Sequence, residues 1–325
     1  MILFKRAGVV LRSTALAFEA NGVLNPAVIL HKGLIHMFYR AVDLDGVSSI
    51  GYCQLGTPTK VAFRHEKPIL VAETAAEKMG LEDPRIVRID GLFYLSYTAF
   101  DGWSALGSLL FSYDLQHFFG RRIIVDQQQI NLTLENEQKC FRWDKNLVFF
   151  PRRINGKIYF MHRIKPDILL SSVNEIEEIT PDFWNTTTYP HVNRPLFLNP
   201  RELGSNYVGA GCPPIETLMG WVLIYHAAYR NAAQYTYKIH VALLDLNDPR
   251  QVLANLPYPV LEPETEYERF GQVDNVVFPT AYIQIDDTVY VYYGAADSCV
   301  ACAHFSMTEL LKELSIHPSI AVYEA

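Results

Sequence analysis

The sequence predicts an all-β fold: a five-bladed β-propeller with a short C-terminal helix, with residues 1–325 forming one domain. Three observations point there. One phrase recurs five times: Gly33-LIHMFYRAVD, Gly91-LFYLSYTAFD, Gly156-KIYFMHRIKP, Gly220-WVLIYHAAYR and Asp287-TVYVYYGAAD. Its starts lie 58, 65, 64 and 67 residues apart, a period that marks repetition of one supersecondary unit. Each copy is a turn residue followed by a run of apolar and aromatic residues, which reads as a strand. Strand units repeated at this spacing build propellers. The second observation is a proline shortly before each copy: Asn25-Pro26, Asp83-Pro84, Phe150-Pro151, Pro213-Pro214 and Phe278-Pro279. The third is that only one stretch reads as a helix.

Taken in order, the N-terminal strand around residues 9–12 is expected to complete the last blade and so join the two ends of the ring. Each proline is expected at the start of a strand, where no ladder N–H is needed. Residues 126–138 are polar and read as an extended loop between the second and third blades, over the channel mouth. Residues 182–206 read as a second loop at that mouth. Elsewhere the chain reads as short strands punctuated by Gly, Pro, Asn and Asp. At the end, Ser306-Met-Thr-Glu309 has the capping-box pattern, and Leu310, Leu311 and Leu314 give one apolar face. That helix is expected to pack on the last blade.

Half of the residues are hydrophobic, which suffices for a packed core, and the net charge is −7. An acidic chain of this kind is a poor partner for nucleic acid or an anionic membrane. Arg12 interrupts the N-terminal apolar stretch too early for a signal peptide, and no window approaches a membrane span. The expected location is therefore the cytoplasm. Five cysteines are scattered, and Cys299-x-x-Cys302 has no second pair to complete a metal site. They read as reduced core thiols, with no metal and no organic cofactor implied. The glycosylation-like triplets at Asn131 and Asn185 carry meaning only in a secreted chain. Oligomeric state is not legible, and a homo-oligomer is compatible with the sequence.

Aligning the five copies identifies equivalent positions. Six residues after the turn stand Tyr39, Tyr97, His162, His226 and Tyr293. Next come Arg40, Thr98, Arg163, Ala227 and Gly294, and ten positions on come Asp43, Asp101 and Asp297. One ring of structure thus carries Arg40, Asp43, Asp101, His162, Arg163, His226 and Asp297. Buried charges are costly unless they pair or hold a ligand. Asp43 and His162 read as ties between neighbouring blades. Arg163 and His226, with Lys145 and Asn146 just before the third proline, read as an anion site suited to phosphate. The residue before the proline is Asn, Phe, Pro or Phe in four blades and an acid, Asp83, in the second, flanked by Glu82 and Arg85. A structural repeat does not require that acid, so it reads as functional.

Cleaving a glycosidic bond requires a carboxylic acid to protonate the leaving oxygen. An inverting hydrolase adds a second carboxylate that activates water. A phosphorylase does without that base, because phosphate is already an anionic nucleophile. It instead needs cationic and hydrogen-bonding groups that hold phosphate in line with the bond. Asp83 plus a Lys/Arg/His cluster suits the phosphorylase. Glu216, Glu264, Glu266, Glu268 and Asp274 are the second carboxylates available to a hydrolase.

The motifs together resemble glycoside hydrolase family 130. The segments that carry the resemblance are residues 80–102 with Glu82-Asp83-Pro84-Arg85, Lys145-NLVFFP with Met161-HR, residues 209–226, residues 262–279 and Tyr292-YGAADS. They span most of the chain. The resemblance implies a five-bladed propeller acting on β-mannosides, most characterised members being inverting phosphorylases that release α-mannose 1-phosphate. It implies that Asp83 is the general acid, acting through the sugar 3-hydroxyl. It places phosphate on Lys145, Asn146, Arg163 and His226, and the mannosyl unit on Asn25, Arg40, Asp101 and Asp297. The implied partners are a β-mannoside oligosaccharide and inorganic phosphate as co-substrate. Where many of these phosphorylases have Lys-Ile-Gly, this chain has Tyr207-Val-Gly209, so one expected cation is missing. The alternatives are a β-1,2-type mannosidase using water and a non-catalytic sugar-binding propeller, for which Asp83 would be dispensable.

Overall fold

The structure, a computed structural model, describes residues 1–124, 129–134, 137–184, 194–196, 203–231 and 234–319. Regular structure is almost entirely β. The helices are Met307–Ser315, the one-turn Glu266–Arg269 and a few short 3-10 turns. Ser306 caps the C-terminal helix by accepting the amide of Glu309, and Met307, Leu310 and Leu314 are buried beneath it.

The strands fall into five antiparallel units in chain order. Unit one is Gly22–His31, Leu34–Val42, Ser48–Thr57 and Lys60–Arg64. Unit two is Gly80–Ile89, Leu92–Phe100, Ala105–Ser112 and Phe118–Ile123. Unit three is Glu137–Phe149, Ile158–Ile164, Asp167–Val173 and Arg194–Pro195. Unit four opens on two short strands, Tyr207–Ala210 and Ile215–Thr217, followed by Gly220–Asn231, Gln234–Leu244 and Val252–Asn255. Unit five is Val277–Ile285, Thr288–Ala295 and Cys299–Ser306, completed by the N-terminal strand Lys5–Arg12. The repeated phrase is the second strand of units one, two, three and five, and in unit four it is the strand that follows the two short ones. The N-terminal strand pairs antiparallel with the last one, from Lys5↔His304 to Arg12↔Cys299, as the sequence led us to expect. Short parallel bridges, Ser48↔Gly80 and Trp143↔Ala105, join the first three units into one sheet.

The cores lie between units. Phe38 and Tyr52 of unit one meet Ile86 and Phe93 of unit two. Val87 and Leu109 meet Phe149 and Phe160 of unit three. Val148 and Met161 meet Trp221 and Leu223 of unit four. Val222 and Val241 meet Val289 and Val291 of unit five. Tyr292 and Val300 of unit five then meet Val28 and Met37 of unit one. Successive side chains of a strand point to opposite faces. A strand covered on both faces must therefore be apolar throughout, which explains the unbroken apolar phrases. The same alternation parts Cys299 from Cys302, since they face different cores. Both are buried free thiols, and among the described residues no cluster has the makings of a metal site.

Buried polar staples hold three units from within. Tyr39, Tyr97 and Tyr293, equivalent in the repeat, donate to Glu19, Glu77 and Glu268 at 2.7, 2.6 and 2.7 Å. Each carboxylate also receives an arginine from the unit's outermost strand: Arg64, Arg121 and Arg6. Unit three replaces this arrangement with a buried Asp144–His162 pair at 2.8 Å, so His162 is structural but ties two strands of one unit rather than neighbouring blades.

Three expectations need correction. Pro26, Pro84 and Pro279 lie inside strands at ladder irregularities, not at strand starts, because a bulge releases the N–H that proline lacks. Pro151 follows the end of its strand and is not their equivalent. Within residues 126–138 the described part is strand and not loop: Gln129–Leu134 pairs antiparallel with residues 137–142 of the first strand of unit three. Most of the second loop, with the Asn185 triplet, lies outside the described residues.

Candidate active site

The site grows from the bulges. In units one to three the ladder shifts at Leu24/Ala27, Glu82/Arg85 and Lys145/Val148. One residue in each bulge takes a left-handed backbone: Asn25 at φ 44°, Asp83 at φ 49° and Asn146 at φ 60°. Asn and Asp tolerate that conformation better than other side chains, and a bulge re-aims the side chain it carries. Asp83 is thus the structural equivalent of Asn25 and Asn146, not of Phe150, and it is still the one acid in the set.

Asn25 Nδ2 donates to Asp83 Oδ1 at 2.8 Å, and Arg40 Nη1 approaches the same oxygen at 3.4 Å. The close approach needs Gly294 of unit five, where a Cβ would fall 1.9 Å from Asn25 Oδ1. Arg40 Nη2 also donates to Glu82 Oε1 at 2.8 Å, and Lys145 Nζ reaches Glu82 Oε2 at 2.8 Å. Glu82 therefore aligns two cations beside the acid. Beneath them Arg85 is buried with no carboxylate bonded to it among the described residues. Its Nη1 donates to the backbone oxygens of Asp83 at 2.8 Å and Pro84 at 3.2 Å, and its Nε to Gly211 O of unit four at 2.7 Å. The guanidinium thus clamps the strained turn that presents the acid.

Burial pushes the Asp83 carboxyl up, but Arg40, Arg85, Lys145 and the Asn25 hydrogen bond outweigh it and hold it below its ordinary value. Asp297, also left-handed at φ 48°, is pushed up to about 6, by burial first and with Asp83 and Glu82 adding to it. It therefore shares the field of this cluster although no hydrogen bond joins them.

The second half of the site lies between units three and four. Arg163 Nη1 stands 3.4 Å from His226 Nε2. A Cβ at Gly209 would sit 2.3 Å from the His226 ring and 2.9 Å from Asn146 Oδ1, so this glycine lets the two approach. Burial, then Arg163, Arg85 and Lys165, hold the His226 imidazole well below its ordinary value, so it is a neutral hydrogen-bonding group and not a third cation. Arg163 lies over the Tyr207 ring at 5.1 Å, and Lys165 lies over the same ring at 4.3 Å. Arg163 Nε, His226 Nδ1, Asn146 Oδ1 and Arg85 Nη2 are buried without a hydrogen-bond partner. Such groups rarely go unsatisfied unless a ligand or water completes them.

The structure thus gathers Asn25, Arg40, Asp83 and Lys145 by direct contact, sets Asn146, Arg163 and His226 beside one another, and brings Asp297 in electrostatically. Asp101 makes no hydrogen bond to this cluster among the described residues: its Oδ1 accepts the amides of Trp103 and Ser104 in the turn after its strand. Asp43 caps the turn after its own strand in the same way, accepting the amides of Asp45 and Val47. Sequence reasoning gave no role to Glu82, Arg85 or Lys165. Three charges within four residues of an otherwise apolar strand signalled the first two, whereas nothing marked a lysine in a turn.

The carboxylates open to a hydrolase are mostly committed elsewhere. Glu216 pairs with Arg152, Glu264 with Arg6, and Glu268 belongs to a buried staple. Asp274 accepts the amide of Gly271, and Glu266 lies in the first turn of its short helix.

Comparison with known proteins adds an independent line. A family model described as beta-1,4-mannooligosaccharide phosphorylase matches residues 7–315. The chain is 36% identical over 302 residues to the 1,2-beta-oligomannan phosphorylase of Thermoanaerobacter sp. (strain X514), covering 90% of this chain and 93% of that one. It is 34% identical over 303 residues to a beta-1,2-mannobiose phosphorylase of the same organism, covering 88% and 90%. Among solved structures, the beta-1,2-mannobiose phosphorylase from Listeria innocua in complex with beta-1,2-mannobiose superposes with a TM-score of 0.78 at 24% identity, over 97% of this chain and 99% of that one. At that identity the likeness speaks to the fold alone.

Proposed function

The chain belongs to glycoside hydrolase family 130, and from that premise we propose that it is an inverting phosphorylase that cleaves a β-mannosidic bond with inorganic phosphate to give α-mannose 1-phosphate. The names of two relatives point to β-1,2-linked mannosides as the substrate class. The observation that carries the reading is one acid, Asp83, held among cations beside buried polar groups that lack hydrogen-bond partners among the described residues, while Glu216, Glu264 and Glu268 are engaged elsewhere.

In this reading the five units form a five-bladed β-propeller in a single catalytic domain. Supporting it, each core joins neighbouring units and one joins the fifth to the first. A cavity of about 250 Å³ is also lined by Val28, Ile86, Pro151, Pro213 and Tyr282, one from each unit. The site lies at the end of the inner strands where the bulges are.

Asn25, Arg40, Asp101 and Asp297 hold the mannosyl unit. Lys145, Asn146, Arg163 and His226 hold phosphate in line with the anomeric carbon. A phosphate oxygen forms the new bond to that carbon from the α face while the β-linked oxygen leaves with the bonding pair. That oxygen takes the 3-hydroxyl proton, and Asp83 replaces it, so the configuration inverts and one proton passes from acid to product. Without phosphate the cations keep Asp83 ionised. An arriving anion offsets those cations, raises the carboxyl's proton affinity and loads the acid. No organic cofactor enters the reaction. The cytoplasm is the fitting location, because a sugar phosphate formed there is retained.

The test is to incubate the protein with α-mannose 1-phosphate and mannose and measure released phosphate. Acceptor-dependent release that falls ~10²–10⁴-fold in Asp83→Asn is expected. Equal cleavage of β-1,2-mannobiose with and without phosphate would overturn the reading.

A further inference from the structure

We propose that Lys165 is a phosphate-binding residue, delivered to the anion pocket by the ring of Tyr207 in place of a cation on that strand. The inference rests on the phosphorylase reading and adds a residue to it. Lys165 Nζ lies 4.3 Å from the Tyr207 ring centre and 5.8 Å from that of Tyr235. The Arg163 guanidinium shares the Tyr207 ring at 5.1 Å. An aromatic ring attracts a cation, and one ring serving two cations keeps their charges near each other.

The platform is fixed. Tyr207 and Tyr237 join hydroxyls at 2.5 Å, and the Tyr237 ring lies 5.9 Å from that of His226. The turn that carries Lys165 docks on the same strand, because Val208 N donates to Pro166 O at 2.9 Å. Lys165 is therefore tethered to the strand whose Gly209 admits His226 and Asn146.

Among the described residues no carboxylate pairs with Lys165. Partial desolvation first, then the neighbouring charges of Arg163 and Lys145, lower its pKa. Gathering like charges is unfavourable unless an anion sits between them. Lys145 is pinned by Glu82, whereas Arg163 and Lys165 have no acidic partner among the described residues. The geometry of two unopposed cations on one ring suits a dianion such as phosphate.

The deciding experiment measures KM for inorganic phosphate and for β-1,2-mannobiose separately, in the wild type, Lys165→Ala, Lys165→Arg and Tyr207→Leu. Lys165 is exposed, so its variants keep the fold. Lys165→Ala and Tyr207→Leu are expected to raise KM for phosphate ~10–100-fold, the weight of one charge-assisted contact, with KM for mannobiose unchanged. Lys165→Arg restores most of the loss. An unchanged KM for phosphate in Lys165→Ala, or an equal rise in both KM values, overturns the assignment while leaving a phosphate-dependent wild type intact. A wild type that needs no phosphate overturns the phosphorylase reading and this assignment with it.

Discussion

Replacing Arg85 with methionine tests whether the clamp beneath the acid is what presents it. The substitution keeps apolar volume and removes three donated bonds, to the backbone oxygens of Asp83, Pro84 and Gly211. Each bond from a charged donor contributes roughly 1.5–3 kcal/mol. Against them stands the penalty of burying the guanidinium, whose pKa is pushed down to about 10 by that burial. Relative to the free side chain this is about 3 kcal/mol. The net loss is about 1.5–6 kcal/mol. At about 2 cal/mol/K per residue, a chain of 325 residues loses about 2–9 °C in Tm. Freed from its clamp, the left-handed turn relaxes and Asp83 shifts, and a misplacement near 1 Å lowers kcat ~10²-fold. Arg85 also helps hold the Asp83 carboxyl down. A depressed carboxyl contributes stability above its unfolded pKa, and that stability fades as pH falls through the folded value. With weaker depression the variant gains less from ionising Asp83, and the acid edge of its stability profile moves to higher pH. Thermal unfolding from pH 3 to 8 and single-turnover rates read all three effects. A variant with wild-type Tm and wild-type kcat would refute the clamp.

Two further outcomes follow from the polar networks. Glu77→Gln leaves Arg121 without its buried partner and is expected to lose about 3–5 kcal/mol at pH 7 in urea titrations, while kcat of the folded protein at 25 °C stays the same. The Glu77 carboxyl is lowered because hydrogen bonds from Tyr97 and Arg121 outweigh its burial, so the gap between variant and wild type narrows as acid protonates Glu77. A gap independent of pH contradicts that account. Asp297 is the opposite case: its carboxyl is raised to about 6, so ionising it costs stability as pH climbs through roughly 4 to 6. Asp297→Asn should therefore raise Tm at pH 7.5 but not at pH 4.5 and lower kcat/KM for mannobiose. A variant less stable than wild type at pH 7.5 speaks against it.

Much of the fold was legible because period and polarity are local properties. The phrase at Gly33, Gly91, Gly156, Gly220 and Asp287 marked one strand of each unit directly, and Ser306 with Glu309 marked the helix start. The bulges were not legible. A bulge changes the count of residues between two strands, and Phe150-Pro151 imitates the spacing of Asp83-Pro84 while the register puts Asn146 opposite. Residues 129–134 alternate polar and apolar, Gln-Ile-Asn-Leu-Thr-Leu, which is the pattern of a strand, but the polar residues around them made the whole segment read as a loop. Asp83, Lys145, Arg163 and His226 stood out as charges or imidazoles inside apolar strands. Asp101 stood out by the same rule, yet its spacing fits a turn cap as well as a sugar contact. Lys165 joins the others only through an aromatic ring from another unit, a relation between distant segments that no local pattern encodes.

The pairing of the first strand with the last also sets a timetable. On the ribosome, Lys5–Arg12 emerges first, and its partner Cys299–Ser306 follows ~290 residues later, about 15–60 s at ordinary rates of synthesis. For that interval the earliest-made strand has no mate, and the fifth unit cannot form its outer edge. Asn25 packs against Gly294 of the same late unit, so the surface beside the acid's hydrogen-bond partner is closed only when that unit arrives. A chain stalled before Cys299 exposes an unpaired strand edge, the kind of surface that chaperones and aggregation both recognise.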